Sequence, residues 1–228
     1  MSKKQINKTN NQQKISLISI MKLLIVAATE AEIAPTLAHF DLKQSTFIET
    51  EKFDVLVTGV GMIATAFALG QKLSKKYKLV LNVGIAGSFD REIELGELVN
   101  IAQDTFAELG AEDHENFISL RQLGFGENKF SSSANTALTL RKVQGITVNK
   151  VHGNAQSIEK TITLYQPQTE SMEGAAVFYA CKQLNIPVIQ VRSISNYVES
   201  RNRGNWKIGL AVKNLNDWLI NFLKNYEL

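Results

Sequence analysis

The stretch Lys22-Leu23-Leu24-Ile25-Val26-Ala27-Ala28 decides the fold. It is an unbroken apolar run, and such runs suit strands buried on both faces. A strand of that kind needs a layer on each side, so helices are expected to cover its sheet. Downstream, Phe53–Thr58 reads as a strand, then Gly59-Val60-Gly61 turns into a helix over Met62–Lys75. Leu79–Val83 reads as another buried strand, ending at Gly84-Ile85-Ala86-Gly87. Leu98–Ala102, Ile146–Val151 and Pro187–Arg192 are further predicted strands. Helices are predicted from Thr29 and over Ser133–Val143, Asn154–Tyr165 and Glu173–Leu184. The clearest helix covers about Lys207–Leu223, where Ile208, Val212, Leu215, Trp218, Leu219 and Phe222 recur at helical spacing. Residues 103–132 carry many Gly, Ser and charged residues and read as loops over a site or interface. Alternating strands and helices indicate one α/β domain, with a mixed or mostly parallel central sheet flanked by helices. Ligands in such sheets gather at the carboxyl ends of strands. That rule picks out the segments after residues 28, 58, 83, 151 and 192.

The composition agrees and removes several function classes. Of 228 residues, 44% are hydrophobic and 21% charged, a globular balance. One cysteine, Cys181, excludes a disulfide scaffold and a Cys-cluster zinc site. Three histidines without a His-x-x-x-His pair make a metal catalyst a poor reading, and no metal is expected. No apolar run is long enough to span a membrane. Lys3, Lys4, Lys8 and Lys14 lie in residues 1–20 without an acid among them, so they outweigh the net charge of +3. The remainder is close to neutral and has no net basic excess for nucleic acid. Residues 1–20 read as a polar, disordered extension and 21–228 as the folded domain. With no secretory signal in view, the expected location is the cytoplasm.

Four segments at predicted strand ends and helix starts carry candidate chemistry. Gly59-Val60-Gly61-Met62-Ile63-Ala64 fits a dinucleotide fingerprint, yet no acid stands about twenty residues on to hold a ribose. A tight turn, or a helix N-terminus open toward a small polar ligand, are the other readings. Thr29-Glu30-Ala31-Glu32 is a capping box, while Glu32 is also a carboxylate just past a strand. Glu170-Ser171-Met172-Glu173 precedes Gly174-Ala175-Ala176, a carboxylate beside small residues at a helix start. Ser193–Asn196 closes the last strand with polar groups that ordinarily begin a turn. Together, two carboxylates and a carboxamide suit a nucleoside. Breaking its glycosidic bond needs a base for water, an acceptor on a ribose hydroxyl and hydrogen bonds to the departing base.

These motifs resemble the purine nucleoside phosphorylase/nucleosidase superfamily, in its nucleosidase branch. The resemblance rests on Ala28–Glu32, Thr58–Gly61, Asn82–Gly87, Ser171–Ala176 and Val191–Asn196, in that order. It covers essentially residues 21–228 and implies a sheet twisted toward a barrel, a homodimer, a small-molecule nucleoside substrate and no cofactor. A narrower match is carried by Gly59–Ala66, by Asp104–Asp113 and by Ser195–Val198 with Arg201, Arg203 and Trp206. The family pattern implies that Glu32 activates water and that Glu173 accepts from a ribose hydroxyl, with Met172 packing on the sugar. Asn196 falls where adenine-directed nucleosidases carry an Asp facing purine N7. Ile85, Ala86 and Gly87 fall in the segment that lines base and ribose.

Two departures refine the expectation. An Asn donates through its amide and has no titratable proton, which suits a 6-oxopurine such as hypoxanthine. Phosphorolytic relatives carry an Arg where Gly96 stands, so water is the expected nucleophile. The aromatic that stacks the base in nucleosidase relatives is missing from Gly153–Ser157. Gln156 is the candidate to meet the hypoxanthine edge, with Ser157 beside it. The narrower match implies a benzoate on the 5′ substituent of the substrate. Arg201 and Arg203, then His114, are the candidate cations for it.

Overall fold

The computed structural model describes residues 22–134 and 138–226. The residue 1–20 extension and its expected disorder lie outside that range. Strand β1 (Lys22–Ala27) pairs in parallel with β3 (Phe53–Val57) on one side and with β4 (Tyr77–Ser88) on the other. Its side chains alternate between two cores. Leu23, Ile25 and Ala27 pack with helices α1 (Glu30–His39) and α5 (Ile208–Asn225); Leu24 and Val26 pack with α2 (Met62–Lys72) and α4 (Gly174–Leu184). Both faces being covered, no position in the run tolerates a polar residue. Beyond β3, the short β2 (Phe47–Glu49) forms the antiparallel edge.

On the other side the sheet closes. β4 pairs with β11 (Val188–Tyr197), β11 with β5 (Leu98–Phe106), β5 with β9 (Arg141–Thr147), and β9 with β10 (Thr169–Ser171). Strand β10 returns to β4 at Ser88 and Gly87, completing a mixed five-stranded barrel. The expected α/β domain with a central mixed, barrel-like sheet is the one observed.

Several expected boundaries are corrected. β4 does not end at Gly84 but runs on to Ser88, because β11 pairs beside it along its full length. Ser193–Asn196 is not a turn but the end of β11, where Ser195 forms an extra residue in the pairing with β4. Such bulges re-aim the next side chain. Residues 103–132 are largely strand: the end of β5, the hairpin β6 (Gly110–Asp113) and β7 (Asn116–Ser119), and β8 (Lys129–Ser131). The helix expected over Ser133–Val143 is replaced by β9 from Arg141, since Val143 enters a core with Val99 and Ile101. Residues 135–137 of that segment lie outside the described residues. The strand expected over Ile146–Val151 stops at Thr147.

Helix α3 (Ala155–Tyr165) starts at an Asn154 cap, whose side chain accepts from the amides of Gln156 and Ser157. Helix α5 buries Ala211, Leu215, Leu219 and Leu223, while Trp218 and Phe222 stack at 5.2 Å at the core's margin. No helix among the described residues is long and apolar enough to cross a membrane.

Candidate active site

The carboxyl ends of β1, β4 and β11 meet the β10–α4 junction and the start of α5 around a cleft of about 400 Å³. Glu32, Ile85, Ala86, Gly87, Met172, Glu173, Asn196 and Arg201 all line it.

Glu32 caps its own helix and also faces the cleft. One carboxylate oxygen accepts from the Thr29 amide and hydroxyl, both at 3.0 Å, and so completes the capping box. The other accepts from the Ile85 amide at 3.0 Å, across the mouth of β4. The helix itself is pinned from α5. Pro35 lies inside α1, and the Asn216 side chain takes over the Glu32–Thr36 rung. Asn216 donates to the Glu32 carbonyl at 2.8 Å and accepts from the Thr36 amide at 2.9 Å. A buried amide with its groups paired in this way holds the backbone of Glu32 in one place.

Glu173 lies across from it. Gly61, at φ +94°, turns its amide to donate to the Glu173 carboxylate at 2.9 Å. A side chain at Gly61 would be strained in that conformation. The G-x-G-x-x-A turn therefore presents its helix N-terminus to a carboxylate of this chain, rather than to a dinucleotide phosphate. Burial raises the Glu173 carboxyl above the usual carboxylate range, the Arg192 guanidinium and the Gly61 amide oppose the rise, and Glu32 adds to it.

Beneath the cleft lies a buried cation that the sequence did not single out. Arg192 is 1% exposed. Its Nε donates to Gln190 at 3.0 Å and its Nη2 to Asn82 at 2.8 Å. Gln190 donates in turn to Asp104 at 2.9 Å, and Asp104 accepts from the Thr147 hydroxyl at 2.9 Å. Burial raises the Asp104 carboxyl, against the hydrogen bonds from Gln190 and Thr147 and the Arg192 charge. Gly84 makes room for this cation. A Cβ there would stand 2.1 Å from Arg192 Nη1 and 2.8 Å from the Glu32 carboxylate.

Asn196 sits at the far end, its Oδ1 accepting from Ser195 Oγ at 2.9 Å and its Nδ2 donating to the Tyr197 carbonyl at 3.0 Å. Nδ2 keeps one hydrogen for a ligand. Four expected site residues lie outside the cleft lining. Gln156 is exposed and Ser157 turns its hydroxyl back to the Asn154 carbonyl, because the Asn154 cap starts the helix away from the cleft. Arg203 lies in a short 3-10 turn, with its guanidinium 5.6 Å from the Trp206 ring centre. Arg201 takes the other approach to that ring, at 5.1 Å, and reaches the cleft. His114 is 94% exposed at the β6–β7 turn, outside the cleft lining.

The cleft also holds residues to which the sequence reading gave no site role: Val60, His152, Glu170, Trp206, Ile208 and Val212. His152 was legible only as one of three histidines, since its partner Glu170 lies on a strand 18 positions away. No group of His, Cys, Asp and Glu among the described residues could hold a metal ion. Burial pushes the Cys181 thiol up to about 12, which makes it a core residue rather than a nucleophile.

The strand ends of this closed mixed barrel bring three buried carboxylates, Glu32, Glu170 and Glu173, to one cleft. The chain belongs to the phosphorylase superfamily, whose family model matches residues 22–224. Within it, the chain is 31% identical over 178 residues to futalosine hydrolase of Streptomyces coelicolor, covering 72% of this chain and 76% of that one. It is 28% identical over 202 residues to 5′-methylthioadenosine/S-adenosylhomocysteine nucleosidase of Shewanella oneidensis, covering 77% and 84%. The structure of futalosine hydrolase from Helicobacter pylori superposes with a TM-score of 0.76 at 16% identity, over 91% of this chain and 99% of that one. The narrower match carried by Gly59–Ala66, Asp104–Asp113 and the Ser195–Trp206 segment is the one to futalosine hydrolases.

Proposed function

We propose that this protein hydrolyses the N-glycosidic bond of futalosine, releasing hypoxanthine and dehypoxanthine futalosine on the futalosine route to menaquinone. The observation that carries the choice of base is Asn196. An amide with a free N–H stands in the cleft where adenine-directed relatives place a carboxylate, and it complements the acceptors of a 6-oxopurine. The similarity to the Streptomyces futalosine hydrolase supports the same reading.

In this reading Glu32 takes a proton from water as the water oxygen bonds to the ribosyl carbon. The bond to the purine nitrogen breaks and its electron pair leaves on the base as the hypoxanthine anion, which accepts from Asn196 Nδ2 and then takes a proton from water to give hypoxanthine, while Glu32 returns its proton to solvent. Glu173 accepts from a ribose hydroxyl, Met172 packs on the sugar, and Ile85, Ala86 and Gly87 line base and ribose. Arg201 meets the benzoate, with Trp206 holding its guanidinium. No metal or cofactor enters. Water is favoured over phosphate because Gly96, where phosphorolytic relatives carry an Arg, is packed over. A side chain there would start 2.8 Å from Leu210 and 2.9 Å from Asn214. Purified protein given futalosine, with and without phosphate, should release hypoxanthine equally in both. Turnover that needs phosphate refutes hydrolysis.

The second reading, a methylthioadenosine/S-adenosylhomocysteine or inosine-type nucleosidase, is favoured by the Shewanella similarity. The variant Asn196→Asp separates the two. It should raise the adenine-nucleoside to futalosine ratio of kcat/KM by about tenfold or more, the scale of a mismatched buried hydrogen bond. An unmoved ratio counts against the role given to Asn196.

The reading also includes a cytoplasmic homodimer. Ile63, Phe67 and Phe125 are 80%, 67% and 77% exposed, a large apolar display for a monomer. Met62 and Ile63 line an apolar hollow that adjoins the Gly59–Gly61 turn, whose Val60 lines the cleft. Sedimentation should report a dimer, and Phe67→Glu should shift it toward monomer.

A further inference from the structure

Glu170 and His152 form a built pair inside the cleft that the roles above leave unused. Glu170 is 3% exposed. One of its carboxylate oxygens accepts from the His152 backbone amide at 3.0 Å and the other meets His152 Nδ1 at 2.6 Å. On the far side of the ring, Nε2 meets the Thr161 hydroxyl at 2.8 Å. The ring is thus held at both nitrogens, by the carboxylate at Nδ1 and by the Thr161 hydroxyl at Nε2. Backbone and ring together clamp the carboxylate in a single orientation, and each oxygen retains a lone pair. A loop residue, His152, thus holds an acceptor-only group of strand β10 at the wall of a cleft.

Its position relative to Asn196 gives the clamp a meaning. Above Gly87, at the point a Cβ would occupy, Asn196 Nδ2 lies 3.2 Å away and Glu170 Cγ 3.6 Å away. The Asn196 amide and the Glu170 side chain therefore come up to the same glycine of the cleft wall, and both residues line the cleft. A 6-oxopurine presents acceptors at N7 and O6 and, next to O6, a donor at N1–H. A 6-aminopurine presents a donor at the exocyclic amine and a bare lone pair at N1. A carboxylate accepts N1–H with a charge-assisted bond and repels the lone pair.

Resting on the nucleosidase reading above, we infer that Glu170, clamped by His152, is the specificity-determining acceptor for the N1–H of a 6-oxopurine, acting beside Asn196. It takes the place on the base edge that Gln156, outside the cleft, does not occupy. His152 acts through Glu170 and is a positioning residue.

Hypoxanthine release from futalosine by the wild-type protein is measured first, because its absence refutes the nucleosidase reading whatever Glu170 does. Product inhibition by free bases then tests Glu170 without any variant. Hypoxanthine should inhibit at least tenfold more strongly than adenine or 1-methylhypoxanthine, which lack the N1–H. Equal inhibition by the three overturns the inference. In Glu170→Gln, whose amide can donate to adenine N1, the 6-oxopurine to 6-aminopurine ratio of kcat/KM should fall at least tenfold. His152→Ala should move the same ratio in the same direction with a smaller change in kcat. A ratio unmoved in a folded Glu170→Gln protein, with futalosine still cleaved, overturns the role of Glu170 and leaves the hydrolase reading standing. Should Glu170→Gln fail to fold, the base panel decides alone.

Discussion

Glu32→Gln is expected to lower kcat on futalosine by about 10²–10⁴-fold, the range for losing a positioned general base. The fold should survive, because Gln also serves in a capping box. Some stability is lost all the same. The two carboxylate oxygens accept from Thr29 on one side and from the Ile85 amide on the other. A Gln offers only one oxygen, so one of these amides faces an NH2 group instead. A buried donor without an acceptor costs about 1–3 kcal/mol. The companion variant Thr29→Ala separates cap from base. It should cost about 1 kcal/mol in stability and leave most of the turnover, since the Ile85 contact to Glu32 remains. Single-turnover rates and thermal melts on the two proteins give the answer. If Glu32→Gln turns over like the wild type, Glu32 is a cap and nothing more.

The largest loss of stability is expected from Arg192→Met, about 3–5 kcal/mol, the cost of stranding buried charge. Met keeps the unbranched apolar stem, so the larger part of the effect comes from charge and the smaller part from the space the guanidinium leaves. Arg192 opposes the rise of both the Asp104 and the Glu173 carboxyls. Without it, both rise further, and Gln190 and Asn82 each lose a donor. Denaturant unfolding at neutral pH should show the midpoint falling with the slope unchanged. The deficit should shrink as pH falls, because protonating Asp104 and Glu173 removes the stranded charge. A variant as stable as the wild type would mean that the carboxylates need no cation. Asp104→Asn, which keeps an oxygen beside Thr147, should recover part of the loss when combined with Arg192→Met.

How far the sequence reached differs from residue to residue, for physical reasons. The sheet's central strands were legible, because a strand covered on both faces is nearly all apolar, as Leu23–Ala27 is throughout and Leu79–Val83 is apart from Asn82. The short strands β2 and β10 were not, since three residues leave no period to read. The Glu32 segment was ambiguous on local grounds. A capping box and a base use the same residue at the same spacing, and only the Ile85 amide, 53 positions away, shows that it also faces the cleft.

Glu32, Glu173 and Asn196 were recognisable because each ends a strand or opens a helix, and in α/β sheets those ends converge. Gln156, Ser157 and Arg203 stand outside the cleft lining because where a helix starts and which way a side chain turns depend on a cap or a ring, here Asn154 and Trp206. Hydrophobic patterning along the chain alone therefore determined the layers and the strand ends at which a site must lie. The tertiary structure decided which polar side chains pair across them. The Arg192 network and the Glu170–His152 clamp join residues up to 110 positions apart, and no local spacing encodes such a partnership.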